Sequence, residues 1–253
     1  MSELKLNFNV RRRKSPVRML IVGHPKIGKT ELGAGLENVF IMDLQDGTGY
    51  IPDGVPVANI KALALEHDMT ELNMFGTVVT QLKKNPPDYL FIDTATEVEG
   101  LAKELGLVMY KKNPMGKNFT GTDILTLPQG GGYLWMRNGF DELTNMLEGA
   151  YTKGIIYTVH PKNSSISKEG RDLMARDINL TGAMKTIFVG NMDAIGFMYR
   201  NKGTNENVLS FKTDERDLAT GARPKHLRGQ EFVISKLEDN GKLTTYWDKI
   251  YID

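Results

Sequence analysis

The chain has 253 residues, 40% of them hydrophobic and 25% charged, enough to close one substantial core. It contains no cysteine, which excludes disulfides and thiolate metal sites. Its 32 Lys and Arg stand against 31 Asp and Glu, which excludes a protein coated in positive charge, so any nucleic-acid contact must come from local clusters.

In chain order, residues 4–10, "LKLNFNV", alternate apolar and polar as a half-buried strand does, and "RRRKSPVR" follows with Arg11, Arg12, Arg13, Lys14 and Arg18. The start lacks the apolar core of a signal peptide, and no apolar run approaches the roughly 18 to 20 residues that cross a bilayer, so a cytoplasmic protein with no membrane partner is expected. "VRMLIVG" predicts a strand and the segment to about Leu36 a helix; "VFIMDL" and "YLFID" are apolar runs of the kind covered on both faces. "GTGYIPDGVPV" reads as loop, and residues 65–84 as one helix stopped by "NPPD". A helix from Thr96 leads to a long polar, Gly-rich loop over 111–132; a second helix, "YLWMRNGFDELTNMLEGA", precedes the strand "GIIYTVH". Residues 161–180 read as a second polar loop. "AIGFMYRN", "NVLSFKT", "EFVISKL" and "LTTYWDK" read as short strands, the last two joined by the hairpin signal "EDNG". The expected fold is α/β, a mainly parallel sheet flanked by helices with antiparallel C-terminal strands. Residues 1–16 are expected to form an N-terminal strand and basic arm, and 17–253 a single domain.

Between the first strand and first helix lies "GHPKIGKT", a full G-x-x-x-x-G-K-[ST] match. Its glycines let successive N–H groups turn inward on phosphate, with the start of the following helix behind them. Gly23, His24, Pro25, Lys26, Ile27, Gly28, Lys29, Thr30 and Glu31 are therefore the expected nucleotide-binding residues, for ATP. Lys29 would reach the β and γ phosphates, and Thr30 would ligate Mg²⁺. Asp93, at the end of "YLFID", is the expected second metal-holding residue, acting through a water. It is followed by Thr94 rather than Glu, so a water-activating carboxylate must come from elsewhere.

Taken with these motifs, the strand end Asp43-Leu44-Gln45 resembles the RecA-like ATPases, in which an Asp-x-Glu supplies the general base. Gln45 occupies the Glu position; an amide can orient water but cannot take its proton, so hydrolysis should be slow. A naturally slow, switch-like ATPase and a nucleotide-trapping Glu→Gln change both remain open, with Asp46 and Glu97 as fallback bases. The same resemblance makes His160 a sensor of the γ-phosphate, although it could simply cap its strand. It also makes Arg223 and Lys225, with Arg228 behind them, candidates to touch a neighbouring subunit's γ-phosphate, although an ordinary basic turn would look the same. The order of these pieces resembles the compact phage RecA-like proteins of Sak type, which act in single-strand annealing and recombination beside a single-strand-binding protein. That resemblance implies a RecA-like ATPase domain, a homo-oligomeric ring or filament, and single-stranded DNA at the two loops. Lys111, Lys112, Lys117, Lys162, Lys168, Arg171 and Arg176 would then meet DNA phosphates, with Phe119 and Tyr133 as stacking candidates. Phe8 could anchor an N-terminal strand on a neighbour's sheet, the alternative being an edge strand in its own subunit. A small-molecule or nucleotide kinase, a helicase-like motor and a nucleotide-dependent DNA clamp or scaffold are the competing classes.

Overall fold

The computed structural model describes residues 13–168, 171–213 and 220–252, apart from the side chains of 164–168 and 171–176. The "LKLNFNV" segment with Phe8, and Arg11 and Arg12, lie outside the described residues. In chain order the strands are β1 (Arg18–Gly23), β2 (Val39–Asp43), β3 (Val57–Asn59), β4 (Tyr89–Asp93), β5 (Gly154–Val159), β6 (Pro161–Lys168), β7 (Arg171–Ile178), β8 (Ala194–Arg200), β9 (Glu206–Ser210), β10 (Gly221–Ala222), β11 (Glu231–Leu237) and β12 (Leu243–Thr245). The helices are α1 (Lys29–Ala34), α2 (Ile60–Glu66), α3 (Glu71–Leu82), α4 (Ala95–Lys112), α5 (Gly131–Met146) and α6 (Gly182–Gly190).

One sheet runs in the order β12-β11-β9-β8-β1-β5-β4-β2-β3, with β10 paired to β8. From β3 to β8 the strands are parallel; β9, β11 and β12 continue the sheet antiparallel. This is the expected fold class. The central strands read as continuous apolar runs because both faces are covered. Leu20, Val22, Leu90, Ile92, Ile155 and Tyr157 point into a core shared with α3, α4, α5 and α6. Met19, Ile21, Phe91 and Ile156 point the other way, onto Leu32, Leu227, Trp247 and Ile250. Trp247 Nε1 donates to Leu32 O at 2.9 Å, so the C-terminal segment clamps α1.

Four expectations need correction. The helix expected over 65–84 is two helices, because Asp68 adopts a left-handed φ of 50° and the Thr70 hydroxyl caps α3 by accepting from Asn73 N. "GTGYIPDGVPV" is not all loop, since Val57 begins β3 beside β2. The Gly-rich 111–132 segment is not a structureless loop: α4 runs through Lys112, three 3-10 turns follow, and Ile124 is buried beneath them. There α4 and α5 approach closely through Gly106 and Gly139, where a Cβ would fall 2.6 Å from Trp135 O and 2.5 Å from Ala102 O. The 161–180 segment is an antiparallel hairpin, β6 and β7 pairing from Pro161↔Ile178 to Lys168↔Arg171, and the helix α6 after it carries no polar alternation that would announce it. No helix among the described residues is long and apolar enough to cross a membrane.

A candidate nucleotide-binding site

Parallel pairing brings the ends of β1, β2, β4 and β5 to one edge of the sheet, where ligands gather in open α/β folds. The phosphate loop leaves β1 there. Gly28 adopts φ 94°, a left-handed conformation that favours glycine, immediately before α1 begins. Lys29 is buried, and its ammonium donates to Gly23 O at 2.9 Å and His24 O at 3.0 Å. Burial lowers its pKa, with Asp93 opposing that effect. Two neutral carbonyls hold a desolvated cation at the floor of the loop, an arrangement that favours an incoming anion.

Thr30 Oγ1 donates to Asp93 Oδ2 at 2.5 Å, and the buried Thr158 Oγ1 donates to Asp93 Oδ1 at 2.6 Å. Asp93 is thus aimed by two hydroxyls, one from the loop and one from β5. Thr30 and Asp93 offer hard oxygen donors that suit Mg²⁺, which keeps most of its coordination for water and phosphate. No group of three or more His, Cys, Asp or Glu among the described residues could hold a metal alone. When bound there, Mg²⁺ would neutralise charge on the phosphates.

Asp43, fully buried, accepts from Gln45 N at 2.9 Å and from the Thr48 amide and hydroxyl at 3.0 and 2.7 Å. The carboxylate therefore shapes the turn after β2 and directs the Gln45 side chain toward β5. Gln45 Nε2 lies 3.3 Å from His160 Nε2, while His160 Nδ1 lies 3.4 Å from both Lys29 Nζ and Gly23 O. Burial and the Lys29 charge lower the His160 pKa, so the imidazole is neutral at physiological pH. Of the fallback bases, Asp46 is turned to accept from Asn59 Nδ2 at 2.5 Å, and Glu97 lies in the first turn of α4.

Lys29, Thr30, Gln45, Asp93 and His160 share a cavity of about 540 Å³. Two of its lining residues, Tyr50 and Arg200, escape sequence reading because they arrive from a loop and from the end of β8 with no motif around them. Tyr50 is 92% exposed, an aromatic face presented at the rim. Arg200 Nε donates to Asn207 Oδ1 at 3.5 Å, and the buried Asn207 donates to Ser235 Oγ at 3.2 Å. The β9 and β11 side chains thereby hold the guanidinium beside the loop.

Arg223 and Lys225 are not part of this cavity. They line a larger one, about 700 Å³, with Arg13, Lys14, Asp193 and His226 at the opposite end of the sheet. Arg223 donates to Gly190 O at 2.6 Å and pairs with Asp193 at 3.4 Å, and Asp193 N donates to Arg18 O at the start of β1. Arg228 donates to Arg223 O at 3.1 Å. None of them reaches this chain's own phosphate loop. Lys111, Lys112 and Lys117 are exposed; the first two end an 18-residue helix whose start follows Asp93, about 27 Å along the axis. Lys162 donates to Leu180 O at 3.2 Å, and the side chains of Lys168, Arg171 and Arg176 lie outside the described residues. Phe119 packs edge-on against Tyr110 at 5.4 Å, so it is part of the α4 packing, whereas Tyr133 is 52% exposed.

The AAA domain family AAA_24 matches residues 15–223. No curated protein sequence is significantly similar to the chain. Among solved structures, similarity is found to an ATPase of a type III secretion system of pathogenic bacteria, at 16% identity over 74% of this chain and 53% of that one, TM-score 0.42. The chain thus spans about half the length of that ATPase. The RadB recombinase is similar at 11% identity over 92% of both chains, TM-score 0.41. The flagellar accessory protein FlaH from Methanocaldococcus jannaschii is similar at 12% identity over 91% of this chain and 89% of that one, TM-score 0.41.

Proposed function

The chain belongs to the AAA_24 family of AAA domains, with a nucleotide-binding P-loop ATPase core, and from that premise we propose that it hydrolyses ATP slowly, with Mg²⁺, to control a homo-oligomer on single-stranded DNA. The proposed setting is phage or bacterial single-strand annealing and recombination, beside a single-strand-binding protein.

One observation carries this reading. His160 stands between the phosphate loop and the β6–β7 hairpin: its ring contacts Lys29 and Gln45, and its carbonyl accepts from Asn179 N at 2.9 Å at the hairpin base. The hairpin base is further tied to α4 and α6, with Thr96 Oγ1 donating to Asn179 O at 3.3 Å and Lys185 pairing with the buried Asp177 at 2.6 Å. A change at the γ-phosphate therefore has a short covalent and hydrogen-bonded route to a segment bearing Lys162, Lys168, Arg171 and Arg176. Arg223 and Lys225, far from their own nucleotide, would meet a neighbour's. Such a basic group would neutralise charge developing in phosphoryl transfer and couple hydrolysis to assembly.

The test is ATP turnover and negative-stain imaging, each with and without single-stranded DNA. DNA-stimulated turnover and rings or filaments with an ATP analogue support the reading; a chain that stays monomeric under both overturns it. A second reading, a nucleotide-dependent clamp without turnover, is favoured by Gln45 at the expected Glu position, and it predicts assembly with ATP but no phosphate release.

A further inference from the structure

We propose that His160 is the general base of this site, taking the proton of the attacking water while the Gln45 amide orients that water. The inference rests on the ATPase reading above and assigns a proton acceptor within it.

Three of the carboxylates around the site are committed to hydrogen bonds. Both oxygens of Asp43 accept from the 45–48 turn, and both oxygens of Asp93 accept from Thr30 and Thr158. Asp46 accepts from Asn59, in an exposed turn outside the cavity. Glu31 lines the cavity with its Oε2 beside Gly28, on the flank where the Asn207 amide also lies. Glu97 does not line the cavity, although its charge reaches the His160 ring from α4. What remains beside the phosphate lysine is the pair Gln45 and His160, their nitrogens 3.3 Å apart.

The role requires one tautomer. Nδ1 lies 3.4 Å from both the Gly23 carbonyl and Lys29 Nζ; with the ammonium turned to an incoming phosphate, the carbonyl is the partner left for an Nδ1 proton, and the Nε2 lone pair is then directed toward Gln45 and the cavity. The charged groups facing the ring are Lys29 from α1, Asp93 from β4 and Glu97 from α4; burial and Lys29 outweigh the two acids and keep the ring neutral, hence able to accept. In the step itself the water oxygen attacks the γ-phosphorus and its proton passes to Nε2. The bond from phosphorus to the bridging oxygen breaks, its electron pair staying on the ADP β-phosphate, and the imidazolium later returns the proton to solvent. The role supplies what Gln45 lacks, because an amide can hold a water but not take its proton.

The test compares the wild type, His160→Gln and His160→Gln with Gln45→Glu. Nucleotide affinity is measured with a fluorescent ATP analogue and turnover at saturating Mg²⁺ and ATP across pH. The expected result is nucleotide affinity within about threefold of wild type for His160→Gln, turnover about 100-fold or more lower, and loss of the acid limb of the rate profile. Adding Gln45→Glu should restore turnover through a carboxylate base. Turnover within about threefold of wild type in His160→Gln, or an acid limb that persists there, overturns the inference alone. Absence of turnover in the wild type at every pH overturns the ATPase reading and the inference with it.

Discussion

The carbonyl of His160 accepts a 2.9 Å hydrogen bond from the amide of Asn179, joining the first residue after β5 to the residue after β7. The same His160 places its ring 3.3 Å from Gln45. One residue thus links the end of the nucleotide cavity to the base of the hairpin, and its backbone and side chain act on different partners.

Gln45→Glu should raise ATP turnover at least tenfold, because it would place in the cavity a carboxylate able to take a proton, as the amide cannot, without altering the turn, which Asp43 holds through backbone and Thr48 contacts. Phosphate release measured under saturating ATP decides it; an unchanged rate removes position 45 from the chemistry.

Arg200→Ala should weaken nucleotide binding about tenfold or more, equivalent to about 1.4 kcal/mol, since it removes a guanidinium from the cavity wall. Arg200→Lys should recover part of the loss, the point charge remaining but not the planar fork. Titration of both variants with a fluorescent nucleotide tells whether the guanidinium faces phosphate or solvent.

Lys29→Met should abolish nucleotide binding while raising the melting temperature of the nucleotide-free protein. The lowered folded-state pKa of Lys29 means that the unfolded chain binds this proton more tightly. As pH rises toward the ordinary lysine value the nucleotide-free protein therefore gains stability, and at neutral pH it bears the cost of the buried ammonium. Thermal melts at pH 7 and 9.5 should show that gain in wild type and a smaller one in Lys29→Met.

Thr158→Val should cost about 1 to 3 kcal/mol of stability, because Asp93 loses one of its two hydroxyl donors in a buried setting. Denaturant unfolding measures the loss, and Thr158→Ser, which keeps the hydroxyl, should largely restore it. The Mg²⁺ dependence of nucleotide binding should shift with Val and not with Ser.

Much of the fold was legible because apolar runs such as "LFI" and "GIIYTV" admit burial on both faces and little else. Hairpins and helices set by tertiary contacts were not. β6 and β7 carry charged and polar residues that read as loop, and their base is held by α4 and α6. The break between α2 and α3 depends on a single left-handed residue, Asp68, and a Thr70 cap within an otherwise periodic stretch.

The sequence by itself determined the phosphate loop and the aspartate that ends β4 beside it. These are contiguous patterns in which each residue's role follows from backbone conformation over a few positions. Only the tertiary structure decided that Gln45 meets His160 across 115 residues, that Arg200 joins the cavity, and that Arg223 lies at the sheet's other end. Those placements follow from strand order and register, which arise when both faces of the sheet are buried together and no local pattern encodes them.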